Sequence, residues 1–460
     1  MRLMHVLSIA CLLAPSAQAQ AQGLASSSAP APAQAPLEAQ TPVTAPGDVA
    51  PAAAIAWKFG ARHTLLVYAT QQAAETRGPY NEGNRLAGIP DRLADAEWRE
   101  DWRLDAGPCD ARLDLRLVAR QVLQADEGID RGLQHDAYVR TGGVGCRFGE
   151  GFETRAGREV LQWGNATFRS PSNPFFVDTG KTHPIRELLG KDLLQLGWRS
   201  ASGLSVSAVH HFGNAQRDDT SPGPFRATTA LRVDQVDPTQ SLGAIASVRE
   251  GGRWRLGGYL TRTVSDAWLL YGDASVQRGS DGLYPVADAA APVGWRFAPR
   301  ESGEHAWRGA ALLGAAYTFE SGWSLTGEVL ANNEGYDASE RERARAAAGA
   351  GNALFSSGTP LAAAGAGVLG DALQPRLSVI GRRYVFLQLL RTEWKNRADV
   401  ALRVAHNVDD GSSQVSASLT WFIGERTQLL WFAAVNHGAR DAEFSRLFRY
   451  STLLGLRFTL

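Results

Sequence analysis

Charged side chains recur at every second position over long stretches of this 460-residue chain. Between Asp110 and Val122, Arg112, Asp114, Arg116 and Arg120 alternate with Leu113, Leu115, Leu117 and Ala119. Just upstream, Asp95, Glu97, Arg99, Asp101 and Arg103 alternate with Ala94, Ala96, Trp98, Trp102 and Leu104, and Glu100 alone falls on the apolar side. A guanidinium stays charged at any physiological pH and grips carboxylate or sulfate in a two-pronged fork. A face of such groups has two uses. It can favour anions, as rings of basic residues do in anion pores, or it can pair with carboxylates into a lattice that stiffens a wall. By alternation the face comprises Arg112, Arg116, Arg120, Arg155, Arg199, Arg232, Arg255, Arg383, Arg391, Arg403 and Arg457. Its acidic members are Asp95, Glu97, Asp101, Asp114, Asp234 and Asp399.

Other chemistries find less support. There is no Gly-x-Ser-x-Gly elbow and no His-Glu-x-x-His helix, so no enzyme is expected. Adjacent His210 and His211 would point to opposite faces of a strand and cannot chelate one metal together; no metal or cofactor is expected. Basic and acidic residues balance at 47 each, which gives no reason to expect a nucleic-acid partner. Cys109 and Cys146 flank two strands joined by a turn at 125–132, and an oxidising compartment would join them as a disulfide; the alternative is two free thiols. Direct opposition of the two would set Leu115 against Arg140, on the wrong face, so a bulge among Gly142, Gly143 and Gly145 is expected to restore the register. The segment 164–190 carries Arg169, Asp178, Lys181, His183, Arg186 and Glu187, with Phe175 and Phe176 as apolar anchors. Folded inward it would constrict a pore; otherwise it is a surface loop or lid.

Period-two alternation needs strands with one wet and one apolar face. Strands are predicted near 58–70, 93–105, 110–122, 133–142, 152–163, 191–200, 203–212, 225–235, 240–250, 253–263, 267–277, 307–318, 323–331, 376–391, 397–407, 411–422, 425–436 and 446–460. Every second connection is short, except for a longer Gly-rich one at 143–151. The alternate connections include the long ones at 71–92, 164–190, 213–224, 278–306 and 332–375. About eighteen strands result, an even number with both termini on one side; losing 133–142 or 225–235 would leave sixteen. No run of roughly 18 apolar residues offers a transmembrane helix. Trp98 and Trp102 fit an interfacial aromatic girdle. Residues 337–348 favour a short helix on the longest loop, either plugging the mouth or solvated. At the N-terminus, Met1, Arg2 and His5, the apolar run Val6–Leu13 and Ala17-Gln18-Ala19 read as a signal peptide over 1–19. Residues 20–56 read as a disordered Ala/Pro-rich periplasmic tail, leaving 57–460 for the barrel.

The last strand places Leu454, Leu456, Phe458 and Leu460 on one face and Gly455, Arg457 and Thr459 on the other. It resembles the closing strand of a bacterial outer-membrane β-barrel. Gly157-Arg158 through Trp163-Gly164, followed by Asn173-Pro174, is similar to a segment found in porin-like barrels. The strand count, the Arg-rich inner face and the solvated N-terminus resemble the alginate-export type of channel. These resemblances imply an all-β, transmembrane, antiparallel up-and-down barrel in the bacterial outer membrane. The function they imply is passive transport of hydrophilic, anionic or saccharide solutes. A polysaccharide exporter and a non-conducting barrel, enzymatic or structural, are the alternatives. The implied partners are outer-membrane lipid, the solute or polysaccharide, the barrel-assembly machinery and two further copies in a homotrimer.

Overall fold

The computed structural model describes residues 57–213, 226–300 and 306–460; the expected signal peptide and tail, and nearly all of the 213–224 connection, lie outside them. Eighteen antiparallel strands form one sheet that closes on itself. In chain order the first eleven are β1 (Trp57–Ala74), β2 (Arg92–Ala106), β3 (Cys109–Gln124), β4 (Leu133–Phe148), β5 (Phe152–Glu159), β6 (Lys191–Arg199), β7 (Leu204–His211), β8 (Thr228–Val236), β9 (Gln240–Arg249), β10 (Arg253–Thr263) and β11 (Trp268–Arg278). A separate hairpin follows, β12 (Tyr284–Ala287) and β13 (Trp295–Ala298). The wall resumes with β14 (Trp307–Thr318), β15 (Ser324–Asn332), β16 (Arg383–Trp394), β17 (Ala398–Asn407), β18 (Ser413–Ile423), β19 (Thr427–His437) and β20 (Phe448–Thr459). β1 pairs with both β2 and β20, which closes the cylinder and leaves no edge strand.

Alternation decides which way each side chain faces. Leu196, Leu313, Val329, Leu402, Val435 and Leu454 are all large, apolar and exposed. An apolar belt this extensive is not a surface that water tolerates; it is the lipid face of a transmembrane barrel. Aromatic pairs mark its borders. Trp254 meets Trp307 edge-on at 4.8 Å near the long-loop rim, and Trp268 meets Tyr317 at 4.9 Å near the short-turn rim. Glu100 lies on this outer face as read, but it is fully partnered. Its carboxylate accepts from the indole N–H groups of Trp98 and Trp102 and lies 2.6 Å from Nδ1 of His63.

Several boundaries move. The Gly-rich stretch after residue 142 is not a connection: β4 runs on to Phe148 and leaves a tight turn at 149–151. Gly143 faces Gly157 across the ladder, and a Cβ on Gly157 would sit 2.4 Å from the Gly143 Cα, so two bare backbones nest there. Cys109 does oppose Cys146, and the two form a disulfide. The repairing bulge sits at Arg140 and not among the glycines, because the register shifts between Asp114–Thr141 and Leu115–Val139. β16 starts at Arg383, so 376–382 is loop, and β5 stops at Glu159.

The long connections are built structure. α1 (Ala338–Phe355) begins on a reciprocal cap: Asp337 accepts from the Glu340 N–H while the Glu340 carboxylate accepts from the Asp337 N–H. It exceeds the expected 337–348 segment by a further two turns. α2 (Ala362–Leu373) was not expected at all. Ala348, Leu369, Ala372 and Leu373 of these helices pack with Tyr80, Ala87 and Ile89 of the first long loop and with Leu447 and Phe448. The helices therefore form a cap over the mouth with the β12–β13 hairpin; they are not a solvated loop.

Candidate functional site

The segment 160–190 leaves the end of β5 and enters the barrel. Its fastenings are carboxylates and guanidinia that project inward from strands far away in sequence. Glu328 on β15 accepts the backbone N–H groups of Thr167 (2.6 Å) and Phe168 (2.8 Å) and the Tyr271 hydroxyl (2.6 Å). Asp273 on β11 accepts the Ser170 hydroxyl and the Ser172 N–H, each at 2.6 Å. Gly164 turns beneath this anchor at φ +85°, where a Cβ would lie 2.3 Å from the Asp273 carboxylate. On the opposite side, Arg99 donates to the Ile185 carbonyl (2.9 Å) and Arg457 to the Pro184 carbonyl (3.1 Å). Phe168 stacks on Phe386, and His183 lies against Phe432. The chain thus spans the bore as an inward-folded constriction loop.

Charge within the loop is matched before it reaches the lumen. Asp178 pairs with Arg169 and Arg186, each at 3.1 Å. Burial would raise its pKa, but the two guanidinia outweigh that and hold it below the ordinary carboxylate range. Burial lowers the Lys181 ammonium, which donates to the Ala166 carbonyl at 3.0 Å. Burial, reinforced by Arg186 and Arg403, drives the His183 imidazole down to about 3, so it is neutral. For Glu187 burial again pushes upward; Arg99, Arg116 and Arg140 overcome it and hold the carboxyl down to about 2.

The predicted wall residues separate into two sectors. Over β2–β6 the inward face is a lattice of pairs. Arg120 meets Asp95 (2.7 Å), Arg99 meets Glu97 (3.0 Å), Arg140 meets Asp114 (2.6 Å) and Arg155 meets Asp110 (3.1 Å). Arg112 is spent on Glu159. Arg116, only 1% exposed, holds Asp101 at 2.8 Å and clamps Glu187 through two bonds of 2.7 and 3.1 Å. Arg199 ends β6, exposed, at the short-turn rim. Farther round, Arg232 contacts Asp234 at 2.7 Å, and Arg403 lies buried on β17.

Two placements differ from the sequence reading. Arg383 and Arg391 share the outward parity of Leu387 on β16. Arg383, 65% exposed, pairs with Asp409 at the upper rim, while Arg391 reaches the Ser321 carbonyl and the Trp323 ring below. Long basic side chains at strand ends bend toward the interfaces, so alternation alone misplaces them. Asp399 keeps the inward parity of Arg403 but sits at the short-turn end of β17, accepting the Glu393 N–H.

The second sector was largely missed. Above the constriction loop, a chamber is lined by nine cationic residues: Arg169, Lys191, Arg226, Arg249, Arg253, Arg255, Arg278, Arg308 and Arg376. Among the described residues the acidic members of that lining are Asp281 and Glu334, and Arg169 is already paired with Asp178. Arg249 and Arg253 share Asp281, and Arg255 bonds the Pro171 carbonyl of the loop. Arg255 was the one wall member named from sequence. The parity of Arg253 with Arg255 and Tyr259, and of Arg249 with Ser247, was the available signal.

No protein-family model and no curated protein sequence matches the chain. Solved structures do. Acinetobacter baumannii OccAB1 aligns at 11% identity and TM-score 0.52, covering 87% of this chain and 96% of its own. Pseudomonas aeruginosa OpdK, solved with vanillate, aligns at 10% and 0.51, covering 87% and 98%. Pseudomonas aeruginosa OccK11 (OpdR) aligns at 13% and 0.50, covering 87% and 96%. The fold is that of bacterial outer-membrane β-barrels.

Proposed function

We propose that the chain sits in outer-membrane lipid as a passive channel for small hydrophilic anions, with carboxylates the favoured class. The observation that carries this reading is the chamber above the constriction, whose lining among the described residues holds nine cationic side chains and two acidic ones. A solute arriving from the mouth meets a concave, low-dielectric surface of one sign, which focuses field lines and concentrates counter-ions. Guanidinia match a carboxylate in shape as well as charge. Vanillate, the ligand in the OpdK structure, is an aromatic carboxylate and agrees with that class. A polymer exporter needs a continuous wide bore; the inward loop and the capping helices speak against it.

The test is a reversal potential in a salt gradient across a planar bilayer. The native protein is expected to be anion-selective. Replacing Arg249, Arg253 and Arg308 together with Gln should move the reversal potential toward zero by more than half. Cation selectivity of the native protein, or no response to the triple change, refutes the reading.

A further inference from the structure

Among the described residues, four arginines expose less than a tenth of their surface: Arg99, Arg116, Arg403 and Arg446. Burial of a guanidinium is costly unless something negative meets it. Arg99 and Arg116 meet carboxylates. Arg446 donates to the carbonyls of Ala372 and Leu373 at the C-terminal end of α2, where the helix dipole is negative. Arg403 is the exception. It is 4% exposed, and its hydrogen bonds go only to the Gln388 amide oxygen (2.7 Å) and the Ser418 hydroxyl (3.2 Å), both neutral.

Arg403 lines a small cavity between the β16–β18 wall, the constriction loop and the 438–447 loop. Two other polar groups on that lining are unspent. The hydroxyl of Thr182, a residue 3% exposed, has no hydrogen-bond partner, and neither does the buried Nε of Arg169. One acid, Glu443, reaches the same cavity, but its carboxylate already serves the Tyr384 hydroxyl, the Asn407 amide and the Ile380 N–H. Burial also holds Glu443 above the ordinary carboxylate range, which weakens it as a counter-charge. The site therefore has a full positive charge, free donors from two elements and no available negative group.

We propose that this cavity holds a resident monovalent anion of halide size, gripped by the Arg403 guanidinium, the Thr182 hydroxyl and Arg169 Nε. The ion ties the constriction loop to β17 and supplies the charge that Arg403 lacks. It is separate from the basic chamber, which lies on the other side of Arg169 and Val379. Nothing in this assignment depends on which solute the channel passes.

The test uses the full chain purified in detergent. Crystals grown with sodium bromide are expected to show an anomalous peak within hydrogen-bond distance of Arg403 and Thr182. Melting temperature is expected to rise with chloride relative to gluconate, an anion too large for the cavity, at equal ionic strength. Thr182→Val and Arg403→Gln should each abolish that difference; the Val variant serves alone if the Gln variant does not fold. Absence of bromide at the cavity, or equal melting in the two salts, overturns the proposal. Equal stabilisation by acetate and chloride also overturns it, since the cavity would then be a station for carboxylate solutes.

Discussion

At Glu187 three guanidinia converge on one carboxylate, and the pH behaviour of the constriction follows from it. The folded-state pKa of about 2 lies below the ordinary value of 4.5. The clamp's contribution is therefore complete above pH 4.5 and is lost only as pH falls through about 2. The difference in single-channel conductance between the native protein and Glu187→Gln should be the same at pH 7 and pH 4 and should close only near pH 2; a difference that already closes between 7 and 4 would contradict this. Glu187→Gln leaves Arg116 buried beside one remaining carboxylate and should destabilise the loop's seat by about 3 kcal/mol, read as a lowered melting temperature and noisier current. The sequence was readable here only as parity. Alternation located Asp95, Arg112, Arg116 and Arg120, but pairing depends on which distant segment reaches them, and Glu187 and Glu159 arrive from outside β2 and β3. Arg383 and Arg391 show the converse failure: strand parity was legible in Val385 and Leu387, yet residue type suggested the lumen.

The constriction loop is an element held by other elements. Asp273→Ala with Glu328→Ala removes the acceptors of three backbone N–H groups and two hydroxyls. Each buried donor left without a partner costs ~1–3 kcal/mol, so the double variant should free the loop and give larger, fluctuating conductance while the barrel still resists heat and denaturant. Unaltered conductance would mean that the Arg99, Arg116 and Arg457 side suffices. The cap makes a different prediction. Replacing residues 338–373 with a short Gly-Ser linker should raise the rate of solute access and leave the reversal potential unchanged, because no cationic lining residue is removed. Strands announced themselves because a lipid face and a wet face must alternate. The cap did not: α2 is mostly Ala and Gly, which carry little pattern, and its partners Tyr80, Ile89 and Leu447 lie far away in sequence. The 376–382 stretch was misread as strand because its apolar residues are buried inside the barrel without pairing into the sheet: Leu377 and Ile380 pack with Tyr284, Tyr336 and Ala344, and Val379 packs against the inner face of the wall at Tyr271, Leu312 and Phe386.

Across the whole molecule the arginine face divides into two sectors. The β2–β6 sector is a lattice of ion pairs, while among the described residues the chamber on the β8–β14 side is lined by more cationic than acidic side chains. On the proposed function, selectivity should then arise from a field and not from a single contact, and fields are screened. Salt shortens the reach of a charge from about 10 Å at 0.1 M to about 3 Å at 1 M. Anion preference measured in 0.1 M salt should fall markedly in 1 M; a ratio that ignores salt would point to a narrow contact filter instead.

The tethers of the inward loop also set an order of events during assembly. Residues 160–190 leave β5, yet their partners belong to β11, β15, β16, β19 and β20. Contacts so remote along the chain form late. The cylinder must be complete before its own obstruction can dock, so a newly closed molecule passes through a stage with an unobstructed, water-filled interior. Protease added at that moment should cut within 160–190, and should lose its access once Asp273 and Glu328 have been reached.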